Sequence, residues 1–118
     1  MNDTFDRGTD LRAVAREIVV FNAARKWEQF HDPKNLAMAV VSEAGELAAL
    51  FRWISNCDSD GFANEHSEII AEEIADVGIL LLTLCHRLDV NLADVISRKI
   101  TKNGARYRTE GGGDRDEP

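Results

Sequence analysis

Residues 40–51 read VVSEAGELAALF, an apolar run that two carboxylates interrupt, at Glu43 and Glu46. The run follows an Asp-Pro pair, in which the aspartate can cap a helix and Pro33 can take the first helical position, where its missing N–H costs nothing. We therefore predict a helix from Pro33 to about Trp53. The question is why a segment suited to burial carries two acidic residues.

Helical phasing places one of these carboxylates inside the apolar face. With Leu36 as the reference, Val40 and Leu47 fall within about 40° of it, and Glu43 lies about 20° away. Glu46 lies about 60° from Glu43, at the margin of the stripe. An unpaired carboxylate is costly to bury, so Glu43 must be paired, protonated or bound to a cation.

A second acidic pair occurs in the run EEIADVGILLLTLC (72–85), which is apolar on nearly all sides and indicates a central helix over 64–88. With Ile69 as the reference, Glu73 lies at about 40° and Asp76 at about 20° on the other side, both inside the predicted apolar face. The remaining acidic residues of this segment fall outside that face and are assigned to a solvated surface: Glu65, Glu68 and Glu72.

If the two helices pack side by side, their inward carboxylates converge. Four carboxylates without compensation would take up protons or destabilise the fold. Oxygen-only ligands, with no cysteine among them, suit a hard cation such as Mg²⁺, with Mn²⁺ as a substitute. The alternative is that basic side chains pair with the carboxylates internally.

The rest of the sequence predicts an all-α protein. Strand-like alternation is absent, SNCDSDGF (55–62) is polar and typical of a loop, and four helices with short links indicate a four-helix bundle. The two other predicted helices run over 11–30, capped by Thr9 or Asp10, and over 92–107, capped by Asn91.

The fourth helix has an inward stripe that changes character along its length. Leu92 and Val95 begin it, and Lys99, Asn103 and Arg106 continue it. A stripe that becomes basic and amide-bearing is typical of one wall of an anion site. The alternative is a solvated helix end with cations placed favourably near the C-terminus.

Two tryptophans and one histidine lie near predicted helix ends: Trp27, Trp53 and His31. Aromatic residues at such places are usually core or rim. A pocket for a planar base would use the same faces, and His31 would be exposed or line it. His66 and His86 are predicted to be surface residues.

Composition limits the possible functions. A chain of 118 residues with a net charge of −7 and a pI of about 4.9 suits one domain and argues against nucleic-acid binding. Its two cysteines form no metal or disulfide pattern, its first residues contain no apolar signal segment, and no run is long enough to span a membrane. We expect a cytoplasmic protein with a flexible N-terminus (1–8), a single all-α domain (9–108) and a disordered tail (109–118).

Four motifs in order give the chain a family resemblance over about residues 10–108. They are WEQFHDPKNL (27–36), EAGELAALFRW (43–53), EEIAD (72–76) and the set Lys99, Asn103, Arg106 and Tyr107. Together they resemble the all-α nucleoside triphosphate pyrophosphohydrolases of the MazG-like group, and most closely the dCTP pyrophosphatase branch. The four motifs are specific as a set because their separations also match.

The resemblance implies a helical bundle that assembles as a homodimer or homotetramer. It also implies Mg²⁺-dependent cleavage of a (deoxy)nucleoside triphosphate, with dCTP or a related pyrimidine nucleotide expected, to the monophosphate and pyrophosphate. Such an enzyme cleans the nucleotide pool. The implied metal ligands are Glu43, Glu46, Glu73 and Asp76, with Glu43 or Glu46 as general base; the phosphate contacts are Lys99, Asn103, Arg106 and Tyr107; and the base contacts are Trp27, His31 and Trp53.

The chain departs from the family pattern at two positions. Ser42 stands where many MazG-like members have a further glutamate, which leaves one carboxylate fewer and suits the dCTP branch. Leu80 stands where that branch tends to carry a tyrosine, so one contact in the nucleotide pocket is missing.

Two other classes fit parts of the pattern. A ferritin-like di-iron protein would need a Glu-x-x-His motif on each of two helices, and only Glu28 with His31 fits, at a helix end. A non-catalytic helical oligomerisation or regulatory module would use the acidic faces to bind a partner, and it predicts no metal-dependent stabilisation and no pyrophosphate release.

Overall fold

The described part of the chain, residues 10–107 of a computed structural model, is all-helical, as the sequence predicts. It contains five α-helices, two short 3₁₀ turns and no strand. The flexible N-terminus predicted for 1–8 and the disordered tail predicted for 109–118 lie outside these residues. The helices are α1 (Leu11–Ala24), α2 (Pro33–Ala49), α3 (Ser59–Glu65), α4 (Ser67–Arg87) and α5 (Leu92–Arg106).

Side-chain caps fix the starts of three helices where the sequence placed them. The Asp10 carboxylate accepts from the backbone N–H of Arg12 at 2.8 Å at the start of α1. Asp32 accepts from Asn35 N at 2.8 Å at the start of α2, and Asn91 Oδ1 accepts from Asp94 N at 3.0 Å at the start of α5. Each cap satisfies one backbone donor that the first helical turn leaves free.

The first helix ends earlier than predicted. It stops at Ala24, and a 3₁₀ turn over Trp27–Phe30 follows. The break lies at Lys26, whose φ of 57° is left-handed and incompatible with a continuing α-helix. Gln29 holds the turn by donating from its amide to the Lys26 carbonyl at 3.0 Å.

The loop predicted for residues 55–62 is wrong, because most of it is helical. A 3₁₀ turn over Asn56–Asp58 leads directly into α3, and Ser55 Oγ donates to Asp58 at 2.9 Å to stabilise that turn. Phe62 anchors the segment: its ring meets that of Phe51 edge to face at 5.3 Å between centroids. Aromatic packing therefore stabilises a segment whose polar composition predicted a loop.

The helix pair α2 and α4 is the centre of the fold up to Leu88. The most extensive contact between elements joins these two helices, and α1 and α3 also pack on α4. Leu36 of α2 is 2% exposed and Ile18 of α1 is 9% exposed, and these two are the buried apolar residues of the described chain. Many other large apolar side chains remain exposed.

The described chain divides into two compact units at the Leu88–Asp89 boundary. The first unit holds α1 to α4, and the second holds α5. The single domain expected over 9–108 therefore stays a prediction. Within the described residues, no helix is both long and apolar enough to cross a membrane.

The Asp32 cap provides a test of how α2 is fixed. Asp32→Ala removes the acceptor for Asn35 N, and we expect it to lower the free energy of unfolding by about 1 kcal/mol. Asp32→Asn keeps an acceptor oxygen and should cost clearly less. Urea unfolding followed by circular dichroism measures both, and equal losses for the two variants would contradict this role.

Candidate metal centre

Three carboxylates from two helices converge at one place. Glu43 of α2 and Glu73 and Asp76 of α4 each offer an oxygen, and these oxygens all lie within 4.8 Å of one another. The packing of α2 on α4 produces this convergence, because the residues lie at matching levels of the two helices. The predicted meeting of the acidic pairs is therefore present for these three residues.

Burial agrees with helical phasing on α2 but only partly on α4. Glu43 is half-buried, on the same face as buried Leu36, and Glu73 is half-buried on α4. Asp76, however, is exposed, contrary to the expectation that it lies inside the apolar face. Ile69, the reference for that face, is itself 47% exposed, so the buried side of α4 is rotated away from it, toward half-buried Ile70 and Val77.

Glu46 lies at the edge of the cluster. It is exposed and is not one of the three residues whose oxygens share the 4.8 Å limit. It is nevertheless close enough for a hydrogen bond between its carboxylate and a protonated Glu43. Its place at the margin of the face matches its phase on the helix.

Hydrogen bonding, partial burial and neighbouring like charges raise the pKa of two of these groups. The hydrogen bond to Glu46 contributes most to the raised pKa of Glu43, followed by partial burial and the charges on Glu46, Asp76 and Glu73. Partial burial contributes most to the raised pKa of Glu73, followed by repulsion from Glu46 and Asp76 and from neighbouring Glu72. All these influences act in the same direction, so no basic side chain of residues 10–107 compensates these two charges.

One oxygen of the cluster has no partner. Glu73 Oε2 is buried, and no described residue hydrogen-bonds to it. A carboxylate oxygen can only accept, so a donor or a cation must satisfy it. In a native protein such a group calls for a ligand that completes it.

The cluster fits a hard divalent cation. Its donors are all carboxylate oxygens, which Mg²⁺ and Mn²⁺ prefer. Two oxygens that bind one Mg²⁺ at about 2.1 Å lie about 3.0 Å apart when they are adjacent and about 4.2 Å apart when they are opposite, so the three carboxylates would draw closer together to hold one ion. Glu43, Glu73 and Asp76 are the residues that would hold the ion.

The aromatic candidates lie at the surface of the first unit. Trp27 is 44% exposed and meets Phe21 edge to face at 5.6 Å between centroids. Trp53 is 85% exposed, in the turn after α2, with the Arg52 guanidinium 5.5 Å from its ring centroid. Both rings are open to a ligand or to another chain.

His31 lines a cavity of about 190 Å³ between α1, the 3₁₀ turn after it and the C-terminal part of α4. The sequence expectation that His31 is exposed or lines a pocket is consistent with this place. Sequence reasoning missed the other polar groups there, and it treated His86 only as a surface residue. The polar lining of the cavity consists of Asn22, Glu28, His31, Thr83, His86 and Arg87.

The predicted phosphate-binding residues all lie in the second unit. Lys99 and Arg106 are exposed, and Asn103 is half-buried on the same helix. The guanidinium of Arg106 lies 5.1 Å from the ring centroid of Tyr107, which follows α5 directly. Their role as phosphate ligands stays a prediction.

Comparisons with known proteins point in one direction. Residues 38–117 match the MazG-like family. The chain is 40% identical over 106 residues to dCTP pyrophosphatase 1 of Rattus norvegicus and 37% identical over 106 residues to that of Homo sapiens, which covers 88% of this chain in each case. The chain spans 62% of the length of each of these two relatives.

A solved structure is also similar. The crystal structure of a pyrophosphatase from Archaeoglobus fulgidus superposes with a TM-score of 0.82 at 31% identity, covering 87% of this chain and 96% of that one. The likeness therefore extends over almost all of that neighbour.

The raised pKa values predict how the metal-free protein responds to pH. The folded state binds protons at Glu43 and Glu73 more tightly than the unfolded chain does, where the ordinary value is 4.5. The resulting stability is fully present below that value and is lost as pH rises through the folded-state pKa. In EDTA, Glu73→Gln should therefore raise the melting temperature at pH 7 and change it less at pH 4.

The matched control is Glu68→Gln, an exposed acidic residue of the same helix outside the cluster. It should shift the melting temperature little at either pH. A lower melting temperature for Glu73→Gln than for the wild type at pH 7 in EDTA would contradict the repulsion described above.

Proposed function

This chain belongs to the MazG-like family, and we propose that it is a Mg²⁺-dependent hydrolase of (deoxy)nucleoside triphosphates, with dCTP or a related pyrimidine nucleotide as substrate. The products would be the nucleoside monophosphate and pyrophosphate. Its role would be the removal of unwanted nucleotides from the cytoplasmic pool. Mn²⁺ would replace Mg²⁺ with the same ligands.

The observation that supports the proposal most strongly is the convergence of Glu43, Glu73 and Asp76 without a basic side chain that compensates their charge. A triphosphate is a polyanion, and a protein with a net charge of −7 would repel it at an acidic cluster unless a cation lay between them. When bound, Mg²⁺ supplies the positive charge that draws the phosphates to the cluster and makes water more acidic. Glu46, at the rim, would complete the ligand set.

The carboxylates have a second task, the handling of a proton. In the proposed reaction a water oxygen bonds to the α-phosphorus, the bond from that phosphorus to the bridging oxygen breaks, and pyrophosphate leaves with the electron pair. Glu43 or Glu46 would take the proton from the water as general base.

The negative charge on the leaving pyrophosphate would need basic side chains beside it. Lys99 and Arg106 would neutralise its oxygens, Asn103 would donate from its amide, and Tyr107 would donate from its hydroxyl. In support, Lys99, Asn103 and Arg106 share the inward stripe that the sequence defines on α5. The exposed cations on this stripe have the charge that a phosphate requires.

Recognition of the base would fall to Trp27, His31 and Trp53. The exposed faces of the two tryptophans can stack on a planar base, and His31 lines a cavity of about 190 Å³. Relatives named dCTP pyrophosphatase support a cytosine nucleotide as substrate. Ser42 in place of a further glutamate agrees with that branch, whereas Leu80 removes one contact that the branch tends to use.

The protein would act as a homodimer or homotetramer, in a four-helix bundle arrangement. Exposed apolar side chains on α2 and α4 support this assembly. Met38 is 63% exposed, Val41 68% and Ile74 56%. Exposed apolar surface of this extent, beside a core with few fully buried residues, is typical of a surface that another subunit covers. A second copy is the partner we propose.

Product analysis tests the reaction. Incubation of the protein with dCTP and Mg²⁺ should give dCMP and pyrophosphate, separated by ion-exchange chromatography, and EDTA should abolish the reaction. Glu73→Gln should lower kcat by about 100-fold or more, since it removes a half-buried ligand at the centre of the cluster. Diphosphate and orthophosphate as products would refute the proposal.

The control for this experiment is again Glu68→Gln, which should retain wild-type turnover. A second measurement is independent of activity: Mg²⁺ should raise the melting temperature of the wild type and of Glu68→Gln but much less that of Glu73→Gln, because a ligand that binds only the folded state stabilises it. A regulatory module without a metal site predicts no such rise.

The proposed assembly can be tested at Val41. Val41→Lys places a charge on the exposed apolar surface of α2, and we expect it to shift the protein toward monomer in light scattering after gel filtration. Lys34→Ala, at an exposed position near the start of the same helix, should leave the mass unchanged. A wild type that elutes as a monomer at micromolar concentration would contradict the assembly.

A further inference from the structure

The cavity beside His31 has a polar floor that the proposed reaction does not use. Asn22 of α1 is 7% exposed and Thr83 of α4 is 6% exposed, and both line the cavity. They are the buried polar residues of the described chain, and they bond to each other: Asn22 Nδ2 lies 3.3 Å from Thr83 Oγ1. Buried polar groups of this kind are costly unless they are satisfied.

The neighbour of Thr83 fixes the direction of this bond. Thr83 Oγ1 donates to the Ile79 carbonyl at 2.7 Å, and a carbonyl oxygen can only accept. A hydroxyl has one proton, so Thr83 has none left for Asn22 and can only accept from it. The amide NH₂ of Asn22 must therefore point toward Thr83, and its oxygen is the atom left for the cavity.

The oxygen of Asn22 is available to a ligand. No other described residue donates a hydrogen bond to Asn22 Oδ1. Asn22 Oδ1 differs in this respect from Glu73 Oε2, which is a buried atom without a hydrogen-bond partner. An acceptor held in a fixed direction at the floor of a cavity selects a ligand that brings an N–H donor.

We propose that Asn22 is a specificity-determining residue that accepts a hydrogen bond from the exocyclic amino group of a pyrimidine base, and that Thr83 is the positioning residue that fixes its amide. This inference rests on the proposed function. Cytosine presents an amino group at the position where uracil and thymine present a carbonyl oxygen. The carbonyl would face the Asn22 oxygen with two acceptors opposed, and the keto base would be rejected.

The distance along α4 allows one nucleotide to reach both places. Thr83 lies seven residues beyond Asp76, which is an advance of about 10 Å along the helix and a rotation of only about 20°. Thr83 therefore lies on nearly the same side of α4 as Asp76. The separation is comparable to that between the α-phosphate and the far edge of the base in an extended nucleotide.

The test compares two substitutions of Thr83. Thr83→Val removes the hydroxyl at nearly the same shape, which frees the Asn22 amide to turn and present either its NH₂ or its oxygen. Thr83→Ser retains the hydroxyl. We expect Thr83→Val to lower the ratio of kcat/KM for dCTP over dUTP by about tenfold, mainly by raising the value for dUTP, and Thr83→Ser to preserve the ratio.

Equilibrium binding separates this inference from the proposed reaction. Titration calorimetry with dCMP and dUMP should show tighter binding of dCMP to the wild type, and Asn22→Ala and Thr83→Val should each bring the two affinities together. If no triphosphate is hydrolysed but this pattern holds, the proposed function fails and the inference stands. If the wild type binds both nucleotides equally, or if Thr83→Val and Asn22→Ala both keep the dCMP preference, the inference is wrong.

Discussion

Repulsion between carboxylates is the interaction on which the structure of this protein depends. The packing of α2 on α4 buries the apolar faces of both helices, and the same packing forces Glu43 against Glu73 and Asp76. Apolar burial favours the contact and the like charges oppose it. The pKa of Glu43 rises chiefly through its hydrogen bond to Glu46, that of Glu73 rises chiefly through partial burial, and the neighbouring charges add to both rises. A bound divalent cation would reverse the sign of this opposition. Folding and the proposed metal binding and catalysis would therefore depend on the same interface, and a change in one of them would affect the others.

The amount of core makes this coupling important. The described chain has few buried apolar residues, and the stability of a folded protein is a small difference between large terms, so repulsion at the central helix pair matters to the folded state. Two sources of compensation are consistent with the structure. A bound cation would neutralise the cluster, and a second subunit would cover the exposed apolar surface of α2 and α4. The two act on different faces of the same helices, so their contributions would add.

Local signals predicted the starts of α1, α2 and α5 and the main acidic contact, but not the details that tertiary packing decides. Capping residues such as Asp32 act within one turn, so α2 begins where the sequence says. The position of Glu43 follows from helical phase alone. Asp76 was placed inside the apolar face wrongly, because Ile69 was used as the reference although the neighbours of α4 cover another side. Residues 55–62 were predicted as a loop because their composition is polar, whereas the ring of Phe62 holds them in a helix.

The signal that identified Glu43 also applies to Asn22, where sequence reasoning missed it. Asn22 follows Ile18 by four residues on the inward face of α1, so it is a polar residue inside an apolar stripe. Helical phase could have identified Asn22 as a buried polar residue. It could not have identified its partner, since Thr83 lies 61 residues away in the sequence. Helical phase also could not show that the Thr83 hydroxyl donates its only hydrogen bond to the Ile79 carbonyl and so orients the amide of Asn22. The charge of the carboxylate cluster follows from the residue types. The direction of a hydrogen bond follows only from knowing which group donates to which in the folded structure. The proposed recognition of the base would therefore depend on a hydrogen-bond arrangement that the sequence alone does not show.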